Sequence, residues 1–204
     1  MKFEIKDIPL DIQNRMIEKN VWSAECLIPM PRLKLLNVSH YNFENEVTVG
    51  KMVILDSMAN SVISIFQELF ALKFPIYSIK LIDEFGGDDE LSMDANNSSC
   101  FNFRKIDGSE LLSIHSYGLA IDINPLQNPF IQESKVCPSQ GKDFLDRSNI
   151  RPGMVESIVE IFYNHGFTVW GGNWKEPVDY HHFQVPRQQV EELISTADSH
   201  TNID

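Results

Sequence analysis

Residues 113–125 combine two side chains that can bind a metal ion with a pattern that would bring them together. His115 and Asp122 lie seven positions apart, on either side of Gly118. After Gly118, apolar and polar residues alternate through Asn124, which places Asp122 on the polar face of a strand. Gly118 permits a turn that would carry His115 to the space in front of Asp122. One imidazole and one carboxylate are two of the three protein ligands that a catalytic zinc ion needs.

The third ligand is expected from residues 179–185, which follow a segment rich in tryptophan and glycine. His181 and His182 are neighbours there, and in a strand their imidazoles would point to opposite faces, so that only one of them binds easily. Asp179 precedes His182 by three positions. That spacing would let the histidine bind the metal while the carboxylate takes a proton from a nearby water. His181 is then a surface or cleft residue with a structural role, or a second oxyanion donor.

Three motifs occur together in the chain. They are residues 98–104, the pattern Ser113-x-His115-x-x-Gly118-x-Ala120-x-Asp122, and the pattern from Trp170-Gly171-Gly172 to Asp179-x-x-His182-Phe183. Together they resemble the D-alanyl-D-alanine carboxypeptidase family of zinc peptidases. Within that family the chain is most similar to the branch that holds the L-alanyl-D-glutamate endopeptidases of phage lysins. The resemblance covers roughly residues 20–185.

The resemblance implies a zinc ion held by His115, Asp122 and His182, and it favours His182 over its neighbour because the following phenylalanine matches the family motif. It implies Asp179 as the general base and acid. It also implies that Arg104 faces the substrate, where a guanidinium would bind a carboxylate at two points or stabilise an oxyanion. From the residue type alone, Arg104 is equally well explained as a surface ion-pair partner.

Three further residues are expected near the substrate. Ser113 would hydrogen-bond a ligand or the substrate, since a metal-activated water leaves no need for a serine nucleophile. Asn97 lies in the region that leads into the active site of the resembling family. Trp174 follows two glycines, a thin stretch of backbone that suits a cleft wall, although tryptophans more often pack in the core.

The elements that must position these residues follow from hydrophobic periodicity. Helical spacing predicts helices over residues 7–20, 51–72, 152–166 and 186–197. Strands are predicted over residues 76–82, 101–106, 119–124, 167–170 and 181–185, with a hairpin turn at Asp107-Gly108. Residues 83–99 and 125–150 are expected to be loops, and residues 197–204 to fray. The pattern predicts an α+β fold, a small antiparallel sheet with flanking helices, in a single peptidase domain over residues 1–204 with a catalytic core of about 20–186.

Composition excludes several classes of protein. The 204 residues are 43% hydrophobic and 23% charged, which is typical of a soluble globular chain. A net charge of −12 argues against a nucleic-acid partner, and no apolar run is long enough to span a membrane. Three cysteines, Cys26, Cys100 and Cys137, lack the paired spacing of a structural zinc cluster. Their odd number leaves at least one thiol unpaired, with room for one disulfide of unassigned pairing.

The resemblance implies a zinc peptidase that cuts the D-amino-acid-containing stem peptides of peptidoglycan. Carboxypeptidase action of the D,D- or L,D-type and endopeptidase action of the L-Ala-D-Glu type both remain open. The alternative is a non-catalytic zinc-containing module that binds wall fragments or a protein partner. The N-terminus does not read as a secretory signal, so the export route stays open, while the expected site of action is the periplasm or cell wall. A toxin aimed at a competitor's wall is one such case, and it would imply a cognate inhibitor protein as partner.

Overall fold

The computed structural model describes residues 1–196, in which short sheets alternate with helices. The strands are β1 (Phe3–Asp7), β2 (Leu33–Tyr41), β3 (Val47–Leu55), β4 (Ser78–Ile79), β5 (Asn97–Ser98), β6 (Ala120–Asp122), β7 (Phe130–Gln132), β8 (Lys135–Cys137), β9 (Val169–Trp170), β10 (Val178–Asp179) and β11 (His182–Gln184). The α-helices are α1 (Leu10–Glu18), α2 (Ala59–Ala71), α3 (Asp89–Asp94), α4 (Val159–Asn164) and α5 (Val190–Ser195). Short 3-10 helices cover Met30–Arg32, Asp56–Met58, Ile82–Phe85, Ile114–Tyr117, Ser139–Phe144, Val155–Ile158, Gly171–Asn173 and Arg187–Gln189. The predicted α+β class, with small antiparallel sheets and flanking helices, is confirmed.

The long hairpin of β2 and β3 forms the first sheet, and β1 pairs with the other edge of β2. The β2–β3 register runs without interruption from Leu33 opposite Leu55 to Tyr41 opposite Val47. Helix α2 packs against this sheet and buries five apolar residues: Ala59, Val62, Ile65, Phe66 and Leu69. Removal of these side chains from water is the main force that holds the helix to the sheet.

A second antiparallel sheet has β11 at its centre, with β6 and β9 on its two sides. His182 lies opposite Asp122, and Phe183 lies opposite Trp170. The ring of Phe183 stacks on Phe162 of α4, with centroids 3.9 Å apart. Successive side chains of a strand point to opposite faces, so the burial of Phe183 in the core turns His182 to the other face, beside Asp122.

Asp179 belongs to a third antiparallel sheet of order β10-β7-β8, in which it lies opposite Phe130. Strands β4 and β5 form a separate parallel pair of two residues each. The side chain of Asn97 supports that short pair, because its Oδ1 accepts a hydrogen bond from Lys80 N at 2.7 Å and its Nδ2 donates to Lys80 O at 3.0 Å. The amide thus supplies pairing that a longer strand would make with its backbone.

The predicted helix over residues 51–72 is wrong in its first part, because residues 51–55 end strand β3 and the α-helix begins at Ala59. The alternation that marks a strand is lost there, since Met52, Val53, Ile54 and Leu55 are all buried. A strand covered on both faces reads as a continuous apolar run, which cannot be distinguished from a helix by periodicity alone.

Two predicted loops contain regular structure. Residues 83–99 hold α3 and β5, and residues 125–150 hold the β7–β8 hairpin. The predicted strand over residues 76–82 is reduced to Ser78–Ile79. These elements have six residues or fewer, so they give too few repeats for a period to be recognised.

The hairpin predicted around Asp107-Gly108 forms its turn but not its full strands. Ile106 N donates to Leu111 O at 2.9 Å, and Ser113 N donates to Arg104 O at 3.1 Å. Only the bridge between Lys105 and Leu112 pairs the two arms as strands do. The C-terminal helix predicted for residues 186–197 is α5 preceded by a 3-10 turn, and the fraying predicted for residues 197–204 lies outside the described residues.

All three cysteines carry free thiols, so the disulfide left open by the sequence does not form. Within residues 1–196, none of the helices combines the length and the apolarity that crossing a bilayer requires.

Gly118 and Gly108 adopt the same left-handed backbone, with φ of +65° and +71°, but their surroundings differ. The Gly118 carbonyl accepts a hydrogen bond from Leu55 N of β3 at 3.1 Å. A Cβ at position 118 would lie 2.7 Å from that nitrogen, whereas a Cβ at position 108 would meet no atom within 4 Å. Gly118 therefore lets the 3-10 turn Ile114–Tyr117, called here the His115 turn, lie closer to the first sheet than a residue with a side chain would allow.

We expect Gly108→Ala to lower the free energy of unfolding by about 1 kcal/mol, which is the strain of a left-handed backbone alone. Gly118→Ala should lower it by about 3 kcal/mol, because the backbone of β3 must also move. Urea unfolding of the two variants and the wild type measures both losses, provided that the m-values agree. Equal losses would show that the contact with β3 does not constrain the turn.

Candidate metal centre

The structure brings together the three residues predicted as metal ligands. One ligand atom from each of His115, Asp122 and His182 lies within 4.8 Å of the others, and all three residues are buried. His115 Nε2 is 3.1 Å from Asp122 Oδ2, and His182 Nδ1 is 3.0 Å from Asp122 Oδ1. The two imidazole nitrogens are 3.2 Å apart.

Each ligand is positioned by a short element. Asp122 and His182 are held in register by the β6–β11 pair. His115 lies on the 3-10 turn Ile114–Tyr117, where Ser113 Oγ accepts a hydrogen bond from His115 N at 3.3 Å. Gly118 closes that turn in the left-handed conformation. One strand pair, β6–β11, and one capped turn therefore bring the two histidines and the carboxylate together.

The hydrogen bonds behind the imidazoles determine which nitrogens face inward. His115 Nδ1 lies 2.5 Å from the carbonyl of Cys100, which accepts only, so this nitrogen must carry a hydrogen. His182 Nε2 lies 2.9 Å from Gln184 Oε1, and the amide of Gln184 donates from its other end to the Val185 carbonyl. Gln184 Oε1 is therefore an acceptor, and His182 Nε2 must carry a hydrogen as well.

It follows that His115 Nε2 and His182 Nδ1 present lone pairs to each other when both rings are neutral. Two lone pairs at 3.2 Å beside an ionised carboxylate repel one another in a buried site. Positive charge in the cluster, either a bound metal ion or a proton on one ring, removes that repulsion, and the donor set of two imidazoles and one carboxylate is one that zinc takes in catalytic sites. The residues present thus fit the metal that the sequence analysis expects.

The pKa values in the cluster respond to the same charges. Burial alone would raise the pKa of Asp122, but His115 and His181 lower it well below its ordinary value. Burial would lower the pKa of His182, but its contact with Asp122 raises it instead. Asp122 therefore stays ionised at neutral pH and attracts a positive charge into the cluster.

His181 is buried beside the cluster, which corrects the expectation that it points away from His182. Its Nδ1 donates to Asn128 O at 2.8 Å, and its Nε2 lies 3.0 Å from Asp179 Oδ1 and 4.0 Å from Asp122 Oδ2. Burial would lower the pKa of His181, yet the carboxylates of Asp179 and Asp122 raise it to about 10. His181 is therefore a cation that lies between the predicted base and a predicted ligand.

Asp179 reaches this place because the backbone beside it is thin. A Cβ on Gly171 would lie 2.8 Å from the Cβ of Asp179, so any larger residue would push the aspartate away. Gly172 is needed for another reason, since a Cβ there would overlap the ring of Trp170. The tandem glycines thus let the 3-10 turn Gly171–Asn173 pack directly on β10.

Arg104 is held beside the His115 turn by its backbone, since Arg104 N donates to Ser116 Oγ at 2.9 Å. Its guanidinium Nη2 lies 2.7 Å from Asp89 Oδ2 at the start of α3. The side chain is 31% exposed, and its Nε is buried without a hydrogen-bond partner. The ion pair that the sequence left open is therefore present, and its partner comes from a segment predicted as a loop.

The structure gives the predicted substrate contacts different places. Asn97 is fully buried and bonded within the β4–β5 pair, so it cannot touch a substrate in this arrangement. Ser113 is buried too, and it accepts a hydrogen bond from the backbone of the ligand residue His115, which is the first of the two roles predicted for it. Trp174 is 36% exposed with its ring centroid 5.4 Å from that of His182, a place from which it can line a cleft. Trp170 packs inward and stacks on Phe183.

Three residues that contact the site were not predicted from the sequence. The contact of Gln184 with His182 could have been predicted, because residues two apart on a strand share a face and Gln184 follows His182 by two. The Cys100 carbonyl and Asp89 gave no signal, since they approach His115 and Arg104 only through tertiary folding.

Comparison with protein-family models matched residues 107–185 to the model described as D-alanyl-D-alanine carboxypeptidase. The matched segment contains all three residues of the cluster as well as Asp179 and His181. Searches of curated proteins and of solved structures returned no match.

We expect Gln184→Ala to weaken metal binding at this cluster by about tenfold, because His182 loses the acceptor that fixes its inner nitrogen as a lone pair. Gln184→Glu keeps an acceptor and should retain tight binding. Titration against a competing chelator measures both affinities, with His182→Ala as the variant that loses the site. Gln13→Ala is the control, since Gln13 bonds the carbonyl of Ile8 in another part of the chain. Unchanged affinity in Gln184→Ala would show that Gln184 does not support the ligand.

Proposed function

We propose that the chain is a zinc-dependent peptidase of the D-alanyl-D-alanine carboxypeptidase family that acts on peptidoglycan stem peptides, since residues 107–185 match the model of that family. The observation that carries the proposal is the buried cluster of His115, Asp122 and His182, in which one ligand atom of each residue lies within 4.8 Å of the others. The carboxylate of Asp179 stands next to that cluster, with His181 between it and Asp122.

Zinc is the metal proposed because two imidazoles and one carboxylate form a ligand set of known catalytic zinc sites and leave one coordination position open. A zinc ion held by these residues would supply activation of water near neutral pH and polarisation of a carbonyl group. The hydrogen bonds from His115 to the Cys100 carbonyl and from His182 to Gln184 fix the orientation of both rings, so that the inner nitrogen of each can bind the metal.

Asp179 acts as general base and then as general acid in the proposed reaction. Its carboxylate takes a proton from the attacking water and gives it to the amine that leaves when the peptide bond breaks. His181 holds Oδ1 of this carboxylate from one side, and Gly171 lets the backbone approach from the other. The base is thereby fixed in orientation before substrate arrives, which is the condition for efficient proton transfer.

In the proposed function, the substrate is recognised by contacts in the cleft and not by long-range attraction to the net charge of the protein. With a net charge of −12, the chain gains no long-range attraction to the anionic polymers of a cell wall. Trp174 beside His182 supplies an apolar surface, and Arg104 supplies hydrogen-bond donors next to the His115 turn. The proposed site of action is the periplasm or cell wall, where such peptides occur. A non-catalytic zinc module is disfavoured, because the ligands and the adjacent acid are all present.

Asp179→Asn and Asp179→Ala separate metal binding from catalysis. Both variants should keep one zinc per chain by elemental analysis, since Asp179 is not a ligand. Cleavage of muropeptides should fall by about 10²- to 10⁴-fold, which is the usual contribution of a general base. Asp11→Asn is the control for loss of one acid, because Asp11 lies on the exposed side of α1. Persistent cleavage in Asp179→Ala would exclude Asp179 as the base.

Incubation of purified muropeptides with the metal-loaded protein, followed by mass spectrometry, tests the function itself. Loss of a terminal D-amino acid and cleavage within the stem give products of different mass, so one measurement identifies both the activity and the bond. A chelator should abolish the products, and added zinc should restore them. If the loaded protein leaves every muropeptide intact, the proposed substrate class is wrong.

A further inference from the structure

The guanidinium of Arg104, which the family resemblance assigns to the substrate side, is paired with the carboxylate of Asp89. Arg104 Nη2 and Asp89 Oδ2 are 2.7 Å apart, and the two side chains are 31% and 26% exposed. A pair that is mostly shielded from water is stronger than a fully exposed one, because solvent screens it less. Asp89 does not cap its helix; the cap is Asp88, whose Oδ1 accepts from Leu91 N at 3.0 Å. The Asp89 carboxylate is thus committed to Arg104.

The pair connects two sides of the site. Arg104 is fixed to the His115 turn through Ser116, on the side of the metal ligands. Asp89 begins α3, and the next residue, Glu90, reaches Lys135 of β8 at 3.1 Å. Strand β8 belongs to the sheet that also carries Asp179 in β10. The Arg104–Asp89 contact therefore bridges the ligand side and the side of the proposed base.

A free carboxylate on a substrate would have to compete with Asp89 for the guanidinium. Asp89 is tethered in place, so its effective concentration at Arg104 is far above that of a dissolved peptide. The negative charge of Asp89 also repels an incoming carboxylate. A peptide with an uncharged group at this position, such as an internal peptide bond, pays no such electrostatic penalty and can still accept from the remaining donors of Arg104.

We propose that Asp89 is a specificity-determining residue that neutralises Arg104 and directs the enzyme to internal bonds over bonds next to a free C-terminal carboxylate. The inference rests on the proposed peptidase function and selects the endopeptidase form of it. Asp89 acts by occupying the guanidinium, and it takes no part in the chemical steps.

The test uses two peptides of the same stem sequence, one ending in a free carboxylate and one ending in a carboxamide. The ratio of kcat/KM for the carboxamide to kcat/KM for the acid should favour the carboxamide in the wild type. Asp89→Asn frees Arg104 and should lower that ratio by about tenfold, the worth of one charge-assisted hydrogen bond. Glu90→Gln is the matched control: it removes the same charge one residue away, from an exposed pair with Lys135, and should leave the ratio within twofold.

A second readout does not depend on turnover. Calorimetric binding of the two peptides to metal-loaded Asp179→Asn should show the same preference, and adding Asp89→Asn should reduce it. A wild type that prefers the free acid, or equal shifts in Asp89→Asn and Glu90→Gln, would overturn the inference while leaving a working peptidase. Failure of the wild type to bind or cleave either peptide or any muropeptide would instead overturn the proposed function, and the inference with it.

Discussion

The main physical constraint on the site is the repulsion among three electron-rich groups, two imidazole nitrogens and one carboxylate, that the fold holds close together. His115 and His182 present inner nitrogens 3.2 Å apart, and both approach the carboxylate of Asp122. Hydrogen bonds to the Cys100 carbonyl and to Gln184 prevent either ring from turning its hydrogen inward without losing a buried bond. The arrangement is therefore stable only around positive charge, and the neighbouring groups are placed to use that charge.

The register of β6 against β11 determines which side chains face the metal site, because it places His182 opposite Asp122. Phe183 is held in the core by stacking on Phe162 and Trp170, and that burial sets the face on which His182 appears. A shift of one residue would turn the histidine into the apolar core and the phenylalanine toward Asp122. Hydrophobic packing thus decides the position of a metal ligand with no direct contact between the apolar core and the metal.

More of the site than of the surrounding fold could be predicted from the sequence. The spacing of His115 and Asp122 around Gly118 suggested two ligands of one metal, and the resemblance to a family of zinc peptidases added His182 as the third ligand and Asp179 as the base. The boundary of α2 could not, because β3 is covered on both faces and its apolar run continues into the helix. Nor could the partner of Arg104, since Asp89 is one of several acids in a segment of weak periodicity, and only tertiary packing selects it.

The docking of the His115 turn on β3 means that the segment matching the family is not self-sufficient. Gly118 accepts from Leu55 N, and the carbonyl behind His115 belongs to Cys100; both of these partners precede residue 107. A shortened chain that kept every residue with a chemical role would still lack the two backbone groups, on Leu55 and Cys100, that hold His115 in place. Grafting this centre onto another scaffold would therefore require transplanting the first sheet along with the motifs.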